Sequence, residues 1–148
     1  MKKLALTDFA KYRYPSALEL SPDSRYLTFA LKDVDREGDG YRWNLWLYDL
    51  ERRESRQITQ GDDQRKAVWD DNTHILYKTT EPDEALRARG FEEEWTVDHR
   101  LNVCTGEDRE AFRLPMSVSG LWKMDEGRYV FTGETHLDRP NLLEMTGE

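Results

Sequence analysis

The stretch LSPDSRYLTF, residues 20–29, decides the fold. It is a short apolar run, a turn and a second apolar run. Pro22 presets φ for a turn, and the Asp23 side chain can bond its own backbone, so Ser21, Pro22, Asp23 and Ser24 reverse the chain. The same build returns as VWDDNTHILY at 68–77 and again as LWKMDEGRYVF at 121–131. Asp70, Asp71, Asn72 and Thr73 make the second turn; Asp125, Glu126 and Gly127 make the third. A period of this size is the first thing to explain, because each repeat is one supersecondary unit that cannot bury its apolar face alone.

Working outward from the first turn, Leu18 and Leu20 share one face of a strand, and Leu27, Phe29 and Leu31 share one face of the next. A polar connection at 32–41 leads into RWNLWLYDL (42–50), apolar on both faces and therefore expected as a covered central strand. A charged turn, ERRE, then gives a short polar strand, SRQIT (55–59), with the character of an edge. The second copy keeps this order: Ala67 to Trp69, His74 to Thr79, then Trp95, Val97, His99, Leu101 and Val103 in alternation, then REAFRL (109–114) closed by Pro115. LYDLERRESRQIT (47–59) superposes on RLNVCTGEDREAF (100–112) without a gap. Thr80, Asp83, Pro82 and Gly90 predict a short helix over 83–89 in the longer loop of this copy. The third copy offers strands at 118–122, 128–132 and 141–145. Four-stranded meanders repeating in this way are the signature of propeller blades, and propellers close with about 4–8 of them. The expected fold is all-β: a partial β-propeller of a little under three blades with a short N-terminal helix over 7–12. The expected division is an N-terminal segment (1–14), blade one (15–61), blade two (62–116) and an incomplete blade three (117–148).

Composition narrows the function. The 148 residues carry 22 Lys and Arg against 30 Asp and Glu, a formal charge of −8. That balance opposes a nucleic-acid groove, which needs clustered cations, and opposes docking on anionic lipid. Five Trp, seven Tyr and five Phe supply too much burial for a disordered chain. The single cysteine, Cys104, excludes an internal disulfide and a cysteine zinc site, and is expected as an inert, small, semi-apolar residue. Residues 1–12 lack the apolar stretch of a signal peptide, and no later run reaches membrane-spanning length, so a cytoplasmic location is expected.

Residues 17–59 resemble the first blade of the propeller in the prolyl oligopeptidase family of serine peptidases, nearest its acylaminoacyl-peptidase-like and dipeptidyl-aminopeptidase-like members. Ser21, Pro22 and Asp23 before an aliphatic strand, Asn44, Leu45 and Trp46 opening the third strand, and Gln57, Ile58 and Thr59 after the charged turn carry the likeness. It extends over 6–148 and weakens in the third copy. The resemblance implies a propeller that covers a C-terminal α/β-hydrolase domain and limits access of large substrates. The catalytic residues would belong to that hydrolase. No G-x-S-x-G occurs in the chain, and SVSGLW (117–122) lacks both flanking glycines that a nucleophile elbow needs. The expectation is a non-catalytic segment without a cofactor, partnered by the hydrolase domain, by the parent's peptide substrate and by copies of itself. The other reading is a TolB-like propeller acting as a protein-interaction module, since such propellers share the Ser-Pro-Asp turn.

Three further features bear on chemistry. DVDREGDGYRWN (33–44) sets Asp33, Asp35, Glu37, Gly38 and Asp39 as in a calcium loop, but Asn44 stands where a bidentate Glu is required; a solvated hairpin loop is the preferred reading. FEEEW (91–95) gathers Glu92, Glu93 and Glu94. The resemblance implies a pair of glutamates that hold a substrate's free amino terminus, and Glu93 and Glu94 are the candidates; adjacent carboxylates can hold an ammonium by charge-assisted hydrogen bonds. His74, His99 and His136 fall in different copies without metal spacing, and His99 is expected as a satisfied, half-buried residue.

Overall fold

A computed structural model of the chain describes residues 11–35, 40–82, 84–88, 94–125 and 127–134. Strands β1 (Tyr14–Leu20) and β2 (Tyr26–Asp35) meet at the turn that opens the repeat. Ser21 Oγ donates to Asp23 Oδ1 at 2.6 Å and accepts from the Tyr26 N–H at 2.9 Å, while Asp23 Oδ1 also accepts from the Arg25 N–H at 3.1 Å. This web holds Ser24 at φ 61°, a left-handed conformation that a residue with a Cβ keeps only when its surroundings fix it. β3 (Gly40–Asp49) and β4 (Glu54–Gln57) complete an antiparallel sheet in the order β1-β2-β3-β4.

The second sheet repeats the first. β5 (Ala67–Trp69), β6 (His74–Pro82), β7 (Glu94–Asn102) and β8 (Asp108–Leu114) run antiparallel in sequence order, with α1 (Glu84–Arg87) in the loop where a helix is expected. Its first turn uses the same device: Asp71 Oδ1 accepts from the Thr73 and His74 N–H groups, each at 2.8 Å. β9 (Ser117–Asp125) and β10 (Arg128–Glu134) form a hairpin. Gly127 turns it at φ 76°, where a side chain would be strained. The strand expected at 141–145, His136 and most of the helix expected over 7–12 lie outside the described residues.

Alternation along the strands sorts side chains into two faces. From the first sheet Tyr26, Ala30, Leu45 and Leu47 point into a core shared with Ala67, Trp69, Ile75, Tyr77, Leu101 and Val103 of the second. Trp69 anchors this contact. Its ring stacks on Tyr26 with centroids 6.4 Å apart, and its Nε1–H donates to the Glu19 carbonyl at 3.1 Å. β5 lies beside β1 on one side and β9 on the other, so the first strand of each repeat is innermost. The architecture is all-β and that of a partial propeller.

Burial departs from the sequence expectation at three places. β3 is covered on one face only: Leu45 and Leu47 are buried, whereas Trp46 and Tyr48 are half-buried. Of the five tryptophans only Trp69 is buried, and Trp122 is 47% exposed. Cys104 is exposed, in the turn after β7, with Sγ 3.7 Å from the Tyr26 hydroxyl.

Candidate functional site

The candidates read from the sequence separate in space. Glu94 begins β7, exposed and opposite Pro82 of β6, while Glu92 and Glu93 lie outside the described residues. In the acidic hairpin, Asp33 and Asp35 belong to β2 rather than to a loop. Asp33 pairs with Arg13 at 3.0 Å and Asp35 with Arg42 at 3.7 Å. Asn44, in β3, turns its amide to Asp62 at 2.9 Å. Both carboxylates are thus engaged by guanidinium groups on a sheet, the geometry of a hairpin. Glu37, Gly38 and Asp39 fall outside the described residues, and among those described no three His, Cys, Asp or Glu side chains converge as metal ligands.

His99 is half-buried and satisfied. Its ring stacks on Tyr77 at 5.1 Å, Nε2 lies 3.2 Å from Thr79 Oγ1, and Nδ1 lies 3.4 Å from Asp108 Oδ1. Hydroxyl, imidazole and carboxylate therefore follow the order of a hydrolytic triad. The resemblance ends there. Thr79 also donates to the Val97 carbonyl inside the β6–β7 ladder, so its hydroxyl is committed to the sheet. Burial and the hydrogen bond to Asp108 push the Tyr77 hydroxyl well above its ordinary range.

The chemistry missed by sequence reasoning lies between the second sheet and the β9–β10 hairpin. Asp70, at the end of the β5 turn, is its hub. Asp70 Oδ2 accepts from Arg100 Nε at 2.7 Å; Oδ1 meets Lys123 Nζ at 3.0 Å and accepts from the Tyr129 hydroxyl at 2.6 Å. Arg100 Nη2 continues to Asp71 Oδ2 at 2.8 Å. Burial opposes the Asp70 carboxylate, but the hydrogen bonds from Tyr129, Arg100 and Lys123 outweigh it and hold the group below its ordinary 3.8. Burial and the same bond push Tyr129 up to about 12. Two further bonds tie the hairpin down: Lys123 Nζ donates to the Asp70 carbonyl, and Lys78 Nζ to the Val118 carbonyl.

A cleft of about 360 Å³ opens along this seam, lined by Lys66, Leu76, Lys78, Asp98, Val118 and Leu121 among others. Asp98 is only 2% exposed, and its Oδ2 has no hydrogen-bond partner among the described residues. Lys78 stands opposite it across the β6–β7 ladder, with its ammonium engaged by Val118. Burial pushes the Asp98 carboxyl up to about 6; the charges of Lys78 and His99 pull it back only in part. Such a cleft can hold a small polar molecule. Of the hydroxyls that line it, Ser119 Oγ bonds Thr132 rather than a histidine, and Tyr77 donates to Asp108. One signal in the sequence could have found this seam. The gapless superposition of 47–59 on 100–112, carried two residues back, sets Asp98 on Leu45 and Arg100 on Leu47.

No family model matches the chain, and no curated protein matches it. Among solved structures it is similar to Pyrococcus horikoshii acylaminoacyl peptidase in its orthorhombic crystal form, with a TM-score of 0.62 and 15% identity. The likeness is one of fold. It covers 88% of this chain and 20% of that one, so the chain spans about one fifth of the peptidase's length. Over that span the repeated four-stranded sheets described above have a counterpart in the peptidase structure; at this identity the comparison speaks to architecture and to nothing finer.

Proposed function

We propose that this chain is a non-catalytic, propeller-forming segment of a serine peptidase of the acylaminoacyl or dipeptidyl type, where it gates the approach of peptide substrates to a C-terminal α/β-hydrolase domain. The observation that carries this reading is the shared fold with an acylaminoacyl peptidase over 88% of the chain. The sequence agrees, since it holds no G-x-S-x-G and the described histidines face no activated serine. In this role the hydrolase domain and the peptide are the partners, Glu93 and Glu94 hold the substrate's free amino terminus, and the enzyme works in the cytoplasm. Rigorously purified chain is expected to leave aminoacyl and peptidyl chromogenic substrates intact; turnover sensitive to a serine-directed inhibitor would overturn the reading. In the complete enzyme, E93Q with E94Q should raise KM for free-amine dipeptide substrates with little change in kcat. An unchanged KM removes the two glutamates from substrate binding while leaving the gating role standing.

A further inference from the structure

A second cleft, of about 470 Å³, lies on the other seam, between the first sheet and the second. Both sheets that wall it are complete four-stranded meanders, so it belongs to the packing of one repeat on the next. Three arginines from three places in the chain line it: Arg25 from the turn before β2, Arg52 from the turn between β3 and β4, and Arg56 from β4. Asp49 and Glu54 line it too, so three cations face two carboxylates, in a chain of formal charge −8. Packing positions the arginines in advance. Arg25 lies over the Tyr26 ring, 5.0 Å from its centroid, and Arg56 reaches across the seam, its Nη2 donating to the Val103 carbonyl. Arg52 stands on a turn clamped by Asp49, whose Oδ1 accepts from the Glu51 and Arg52 N–H groups at 2.9 and 3.0 Å.

The donors of these side chains are not used up. Arg25 Nε is buried without a hydrogen-bond partner among the described residues, and the carboxylate paired with that guanidinium, Glu51, stands 3.5 Å from Nη2. A buried cationic N–H without an acceptor is costly, and an anion is the acceptor that relieves it. Among the described residues neither Arg52 nor Arg56 forms an ion pair. The repeat supplies an internal comparison. The register sets Tyr26 opposite Asp49 and His74 opposite Asn102, and 47–59 superposes on 100–112. Arg25 therefore corresponds to Thr73, Arg52 to Thr105 and Arg56 to Arg109. The later turn is clamped alike in both copies, since Asn102 Oδ1 accepts from the Cys104 and Thr105 N–H groups at 2.9 and 3.1 Å. The meander thus folds without arginine at two of the three places.

The geometry points to an anion site: the cleft between the first two sheets binds the phosphate group of a small organic phosphate, held by Arg25, Arg52 and Arg56. Planar forks from three elements suit a tetrahedral dianion, whereas a carboxylate is satisfied by one bidentate fork. The volume is that of a small-molecule site rather than of a bare ion, and Leu47 and Val103 give an organic body an apolar wall. None of this rests on the peptidase reading. Calorimetric titration of the full chain with phenyl phosphate, inorganic phosphate and acetate tests it, at an ionic strength fixed with chloride. Both phosphates are expected to bind, phenyl phosphate the more tightly, and acetate far more weakly. Arg25→Gln and Arg52→Gln are each expected to raise the phenyl phosphate dissociation constant at least about tenfold, as loss of a charged hydrogen bond does. Arg109→Gln, which matches Arg56 in the repeat but lies outside the cleft, is expected to leave it unchanged. Circular dichroism checks the fold of each variant; Arg52→Gln removes no side-chain hydrogen bond among the described residues, so it keeps the test decisive. Cys104, the single thiol, lines the same cleft, and saturating phenyl phosphate is expected to slow its alkylation by iodoacetamide. No heat with either phosphate at millimolar concentration overturns the proposal. So does phosphate binding that both arginine variants leave intact, which is an adventitious ion only. Acetate binding as tight as that of phosphate overturns the assignment to phosphate, and an unchanged alkylation rate overturns the placement in this cleft.

Discussion

Asp98 is the residue whose chemistry departs furthest from its surroundings. Its carboxyl is buried, one oxygen has no partner among the described residues, and burial pushes it up to about 6 from an ordinary 3.8. The folded state therefore binds a proton that the unfolded state has already released between those two values, and stability falls as pH rises through that window. Above pH 6 the full cost is expressed; a shift of this size corresponds to about 3 kcal/mol. Asp98→Asn is expected to raise the thermal midpoint at pH 7.5 and to leave it nearly unchanged at pH 4, read by calorimetry at both. A loss of stability at pH 7.5 would show that the carboxylate is paired in solution. Asp98 was invisible to alternation. Thr96, Asp98 and Arg100 read as the wet side of a strand whose other side is Val97, His99 and Leu101, yet Thr96 and Asp98 are buried because the hairpin covers that face too. Periodicity reports which residues share a face; it does not report how many faces are covered.

The hairpin is held to the second sheet by buried Val118 and Leu121 and by a charged hub. Asp70, with a side chain 13% exposed, binds Arg100, Lys123 and Tyr129 at once. Asp70→Asn leaves two cations short of their counter-charge in a partly buried seam, at a cost of about 2–4 kcal/mol by analogy with broken buried pairs. The expected outcome is faster amide hydrogen exchange in β9 and β10 with β2 and β3 unaffected. The folded carboxyl lies below its ordinary value, so its contribution is present above about pH 4 and fades as pH falls below it. The difference between wild type and variant should shrink accordingly in acid. At this scale the sequence was most legible. The first two hairpin turns, the eight strands of the two sheets, the α1 loop and the edge character of β4 were readable from turn residues and alternation. The boundaries were not: β4 stops at Gln57, short of the expected Ile58 and Thr59, because Thr59 Oγ1 is drawn back to accept from the Leu45 N–H at 2.8 Å.

For the whole molecule the decisive contact is Trp69 between the two sheets. Trp69→Ala removes a buried ring stacked on Tyr26 and one of the two donors to the Glu19 carbonyl, leaving it only the Thr28 hydroxyl, and such truncations cost about 3–5 kcal/mol. Urea unfolding of the variant is expected to remain one transition with a much lower midpoint. Two separated transitions would mean that each sheet folds without the other. The candidate site was less legible than the fold. Glu93 and Glu94 were chosen by the chemistry of adjacent carboxylates, whereas the seam needs Asp70 after β5 and partners from β7, β9 and β10, whose meeting no local pattern encodes.

The strict meander order governs how the chain is made. Every strand of the first sheet pairs with its immediate neighbour in sequence, so that sheet can close as soon as Gln57 has left the ribosome. The core face of that sheet, with Leu45 and Leu47, is completed only when Ala67, Trp69, Ile75, Tyr77, Leu101 and Val103 have followed. During that interval of translation both broad surfaces of the nascent sheet are sticky. A pause in synthesis between these two points is therefore expected to favour aggregation of the nascent chain.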